Sequence, residues 1–160
     1  MRLSFPKSLT IIFGCIFLVT GFEVIAKPCT EGFLEIKQGA NVSIIKVEIA
    51  DTVKKRHVGL MYRDKLSYRS GMLFVYDEPT NAKFWMKNTL IPLDIAFADS
   101  KGLVKYVKYL ALPNDLSIIE GGKDIRYVVE VEAGTARLIN LSEGAFLRSN
   151  RFGLEAAWPC

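Results

Sequence analysis

The stretch Phe84-Trp85-Met86-Lys87-Asn88-Thr89-Leu90-Ile91-Pro92-Leu93-Asp94-Ile95-Ala96-Phe97 decides how the rest of the chain is read. Three large apolar residues open it, Lys87-Asn88-Thr89 interrupts it, and an apolar run resumes after Pro92 around one carboxylate, Asp94. Proline has no N–H to give a ladder and asparagine suits a turn, so the pattern predicts two strands joined by a short turn. That arrangement brings Lys87, Asn88 and Asp94 close together. A carboxylate between Leu93 and Ile95 must be paired, hydrogen-bonded or functional, because an unsatisfied buried charge is strongly unfavourable.

The flanking sequence alternates with period two. In Ser43–Ala50, Ile45, Val47 and Ile49 alternate with Ile44, Lys46 and Glu48, a β-branched pattern that predicts a strand with one buried face. Similar strands are read at Phe33–Lys37, Gly71–Tyr76, Ala82–Lys87, Pro92–Asp99, Leu103–Leu112, Ile125–Glu132 and Ala145–Arg148. Turns are read at Gly39-Ala40-Asn41, Asp77–Asn81, Ser100-Lys101-Gly102, Pro113-Asn114-Asp115 and Gly121-Gly122. Asp51 and Thr52 offer an N-cap for a helix through Val58, with Val53, His57, Leu60 and Met61 as its apolar stripe and Gly59 near its end. A second short helix is read over Ala136–Leu141. About eight strands, two short helices and tight turns make the chain mainly β, a β-rich α+β protein. Antiparallel sheets in a closed, barrel-like or double-sheet form are the expected architecture.

The N-terminus has three parts: Arg2 and Lys7, an apolar run from Leu9 to Val19, and Val24-Ile25-Ala26 before Lys27. These are the n-region, h-region and small-residue junction of a secretory signal, with cleavage expected after Ala26. A retained anchor is the alternative, but the run is short of the roughly 20 residues a membrane span needs. A lipoprotein reading through Cys15 meets the bulky Phe13. Residues 1–26 are therefore expected to be a signal and 27–160 one exported domain, periplasmic or secreted, touching membrane only through the signal. Without Arg2, Lys7 and Glu23 the net charge falls from +4 to +3, and the basic residues are scattered. Nucleic-acid proteins concentrate theirs on one face, so a nucleic-acid partner is not expected. Two cysteines remain, Cys29 and Cys160, and in an oxidising compartment they are expected to be bonded to each other, with intermolecular pairing as the alternative.

Separated motifs add a resemblance. Asp51-Thr52 with Arg56, Gly59-Leu60-Met61-x-Arg63, Gly71-Met72-Leu73-Phe74-Val75, and Phe84 to Thr89 followed by Ile91-Pro92-Leu93-Asp94-Ile95 agree in order and spacing with domain of unknown function family 192, also called uncharacterised protein family 0127. The likeness covers roughly residues 43–148, and Cys29 with the ending Ala156-Ala157-Trp158-Pro159-Cys160 resembles exported proteobacterial members. It implies a compact, jelly-roll-like β domain and a variable position at His57, and it implies no activity.

Function is read from the central stretch. Arg63, Trp85, Lys87, Asn88 and Asp94 are the candidate ligand-binding residues, a polar cluster beside an aromatic patch. Trp85 would floor a shallow pocket with Met61, Met72 and Met86 as walls, unless all four are core. Asp94 is either a ligand-binding anion or general base, or a clamp on turn amides. The expected function is a small exported binding or accessory module for a small molecule, glycan or protein. The alternative is a hydrolase or lyase with Asp94 as base and Lys87 or Arg63 stabilising negative charge, though no second carboxylate or histidine dyad is spaced for it. One histidine and two paired cysteines offer no recognisable metal spacing, so no metal or cofactor is expected.

Overall fold

The computed structural model describes Met1 and residues 29–160. Beyond Met1, the segment read as a signal lies outside the described residues.

Seven strands form one curled sheet, a half-barrel: β1 (Phe33–Gln38), β2 (Asn41–Ala50), β3 (Ser70–Phe84), β4 (Leu93–Asp99), β5 (Val104–Ala111), β6 (Ile119–Glu132) and β7 (Phe146–Arg148), in the order β5-β4-β6-β3-β2-β1-β7. Two short helices, α1 (Val53–Val58) and α2 (Thr135–Leu138), accompany it. The expected mainly β fold is thus present in its barrel-like form, and a bridge between Leu103 and Phe146 ties the outer strands at one end. β1 and β2 form a hairpin through Gly39-Ala40, where Gly39 takes the positive φ of 58° that glycine adopts freely. One pairing departs from the antiparallel expectation. β2 and β3 run parallel because residues 51–69, with α1 among them, carry the chain back to the same end of the sheet.

Two expected turns lie inside strands. Asp77–Asn81 belongs to β3, where register shifts between Val75 and Lys83 absorb Pro79 and the polar residues as bulges. Gly121-Gly122 belongs to β6, and Phe97 covers Gly121 so closely that a Cβ there would meet its ring at 2.2 Å.

The two faces of the sheet bury separate cores. Tyr127, Val129 and Val131 of β6 join Leu73, Ala96 and Ala98 on the face covered by β1, β7 and α2. Val128 joins Met72, Phe74, Ile95 and Phe97 on the other face, beneath Leu60, Met86 and Ile91. Both faces of β3, β4 and β6 are covered, which is why their sequences read as nearly continuous apolar runs.

α1 begins where expected. The Thr52 hydroxyl accepts the Lys55 N–H at 3.2 Å, and Gly59 ends the helix with φ 50°. Its expected apolar stripe packs only in part: no residue of α1 itself is buried and Val53 is 76% exposed, while Leu60, just past the helix, is in the core. A helix of six residues is too short to present a stripe. Instead Arg56 Nη1 donates to the carbonyls of Asp51 at 3.0 Å and Val75 at 2.7 Å, and its guanidinium lies over the Tyr76 ring. Cys29 and Cys160 are bonded, as expected, with Cα atoms 5.3 Å apart. The C-terminal segment also packs on the domain through Phe152 stacked on Tyr127 and Trp158 over Arg148.

Candidate functional site

The expected cluster of Arg63, Lys87, Asn88 and Asp94 is dispersed. β3 and β4 do not form a hairpin, because β6 lies between them. Phe84 pairs with Ile119 at the start of β6 and Leu93 pairs with Glu132 at its end, so the intervening residues travel to the opposite end of β6 before β4 begins.

Asp94 is 2% exposed and faces the α2 side of the sheet. Its Oδ1 accepts the Leu110 N–H at 3.0 Å, and its Oδ2 accepts those of Gly134 at 2.8 Å and Ala136 at 3.2 Å. It clamps the end of β5 to the start of α2, the structural one of its two readings. Both of its oxygens are engaged by backbone N–H groups. Arg63 forks onto the Glu48 carboxylate, with Nη2 to Oε2 at 2.7 Å, and this pairing holds Glu48 below the usual carboxylate range. Asn88 takes a positive φ of 57°, and its Nδ2 donates to the Tyr62 hydroxyl at 2.8 Å. Lys87 places its ammonium 5.1 Å from the centre of the Trp85 ring. Lys87 and Trp85 are therefore together, Asn88 joins Tyr62, and Arg63 and Asp94 go elsewhere. Met72 and Met86 are core, and Met61 alone of the three methionines borders a cavity beside Trp85.

That cavity, of about 250 Å³, opens between α1 and β3. Leu60 and Met61, following α1, and Phe74, Phe84 and Trp85 give it apolar walls, and Trp85 is 40% exposed at its edge. Phe74 and Phe84 meet edge to face, with centroids 5.2 Å apart. Gly59 fits closely against this wall, since a Cβ there would come within 3.2 Å of the Phe74 ring. Arg56, His57, Tyr76, Lys83 and the buried Thr89 supply polar groups.

Glu130 also lines the cavity, and the sequence reading passed it over. On β6 it stands opposite Met72 of β3 and Ile95 of β4, on the face away from Asp94, and it is 5% exposed. Burial alone pushes its carboxyl up to about 8, with no hydrogen bond or charge among the described residues to offset it. At neutral pH it is a carboxylic acid that can donate one hydrogen bond and accept others. Burial also raises the Tyr76 phenol; Arg56 works against that rise and Glu130 adds to it. The clue in the sequence was Val128-Val129-Glu130-Val131, a carboxylate inside an apolar run, which is the argument that singled out Asp94. Among the described residues no group of three or more His, Cys, Asp or Glu side chains is placed to hold a metal ion.

Two solved structures resemble the chain closely. A candidate transcription regulator from Sinorhizobium meliloti 1021 superposes with a TM-score of 0.70 at 31% identity, covering 76% of this chain and 95% of that one. A protein of unknown function from Novosphingobium aromaticivorans DSM 12444 superposes with a TM-score of 0.69 at 29% identity, covering 72% and 82%. None of the curated proteins matches. Residues 34–149 match the family model described as Uncharacterized ACR, and the chain belongs to that family, domain of unknown function family 192.

Proposed function

We propose that the protein is a small binding module, exported through its N-terminal segment to the periplasm or beyond, whose ligand occupies the cavity beside Trp85 and over Glu130. The observation that carries this reading is the Glu130 carboxyl, nearly removed from water, without a protein partner among the described residues, and lining a cavity. Buried polar groups are paired as a rule, and an unpaired one bordering a cavity is completed by what enters it. Trp85 supplies an exposed aromatic edge suited to a small organic molecule or a sugar ring.

The description of the Sinorhizobium relative as a transcription regulator does not transfer readily. Arg63, Arg126, Arg148 and Arg151 pair with Glu48, Glu155, Glu35 and Asp51, so they do not form the free basic face that nucleic acid requires.

A thermal-shift screen of small metabolites and oligosaccharides tests the proposal, run on the parent protein, Glu130→Gln and Trp85→Ala. The expected result is a stabilising compound whose effect is lost or reduced in both variants. Hits indifferent to both substitutions, or no hits from a broad library, would defeat the reading.

A further inference from the structure

The lining of the Glu130 cavity carries groups of both charges. Glu130 is its one carboxylate among the described residues, set between Met72 and Ile95 in the sheet. The other titratable groups lining it are Arg56 and His57 from α1 and Tyr76 and Lys83 from β3; β4 contributes none beside Glu130. Arg56 is committed to the Asp51 and Val75 carbonyls. His57 and Lys83 are exposed, and Lys83 has a surface partner in Glu120 at 3.1 Å. At depth the cavity holds Glu130 and the largely buried Arg56, whose guanidinium is taken up by the two carbonyls, and where it meets solvent it carries His57 and Lys83.

We propose that it receives a small zwitterionic amine, an amino-acid-like molecule whose ammonium meets Glu130 and whose carboxylate faces His57 and Lys83. The assignment rests on the cavity being a ligand site. A bare alkylamine would pass two basic groups to reach Glu130 and leave them unused. A bare carboxylate would satisfy His57 and Lys83 but bring a second acid toward Glu130. A neutral polyol would pair with Glu130 and make no use of the basic edge. The zwitterion matches both ends, and Phe74, Phe84 and Trp85 give its chain apolar walls. No covalent step is involved: the Glu130 proton passes to solvent as the ammonium arrives, leaving a carboxylate–ammonium pair.

Titration calorimetry on the disulfide-bonded protein tests this with ω-amino acids from glycine to 6-aminohexanoate, matched n-alkylamines and matched alkanoates. One chain length is expected to bind, with at least a tenfold loss when either charged end is removed and a similar loss in Glu130→Gln. Lys83→Ala is expected to weaken the zwitterion and leave the alkylamine unchanged or improved. Buffers of different ionisation enthalpy should report release of close to one proton per ligand at neutral pH. Binding of alkanoates as tight as that of the amino acids, binding without proton release, or no binding by any member overturns the assignment. Glucose and glycerol serve as neutral controls. If they bind in a Glu130-dependent way while the zwitterions do not, the cavity remains a ligand site and only its ligand class is wrong. If the broader screen also fails, both readings fall.

Discussion

Stability measured against pH isolates Glu130 without any ligand. In the unfolded chain its carboxyl titrates near 4.5, and in the folded protein burial raises it to about 8. The folded state therefore keeps a proton that the unfolded state has released between these values, and stability falls as pH rises. Below the unfolded value both states are protonated and the effect vanishes; above the folded value both are ionised and the penalty stays constant. At about 1.4 kcal/mol per unit, the integrated loss between pH 5 and pH 8 is about 3 to 4 kcal/mol. Glu48, Asp51 and Asp115, which the fold holds below the usual carboxylate range, act in the opposite sense and at lower pH. Glu130→Gln keeps the shape of the neutral acid and cannot ionise, so subtracting its profile from that of the parent removes every other group. Equilibrium urea unfolding of both proteins at unit steps across this range is the assay. The variant should be ahead by about 1 kcal/mol at pH 5, where the unfolded carboxyl is already mostly ionised, and its advantage should grow by about a further 3 to 4 kcal/mol by pH 8. Parallel profiles would refute the reasoning, because they would mean that the Glu130 carboxylate is ionised and solvated in the folded state.

Asp94→Asn should destabilise the fold by roughly 2 to 3 kcal/mol, since one amide-accepting oxygen becomes a donor facing N–H groups, and ligand binding in the cavity should be unchanged. Arg63→Ala removes a largely exposed pair and should cost no more than about 1 kcal/mol in a chemical melt. Cys160→Ser opens a loop with a sequence separation of 131 residues, for which chain entropy gives a loss of up to about 4 to 5 kcal/mol, read by thermal unfolding with and without reductant. Gly71→Ala should destabilise more than a surface substitution, by about 1 to 3 kcal/mol or more, because its Cβ would lie 2.2 Å from the Glu130 carbonyl oxygen of the neighbouring strand.

Most of the strands, α1 with its Thr52 cap, and the Cys29–Cys160 bond were legible because each rests on a signal in the sequence: period-two alternation, a capping residue, and two cysteines left to pair in a chain read as exported. The half-barrel order was not, because strand neighbours far apart in sequence leave no local signal. Pro79 and Gly121-Gly122 read as turns, yet β3 and β6 carry them as bulges under tertiary packing. The site followed the same division. The rule that a carboxylate in an apolar run must be paired or functional applies equally to Asp94 and Glu130. Which outcome belongs to which residue depends on the face each occupies, and that is set by β6 inserting between β3 and β4. Their register places Asp94 beside Val131, facing the amides of α2, and Glu130 beside Ile95, facing the cavity. A shift of one residue in that pairing would set Asp94 directly opposite Glu130 on the cavity face and away from the amides of α2, so strand order and register, more than either side chain, decide what each carboxylate meets.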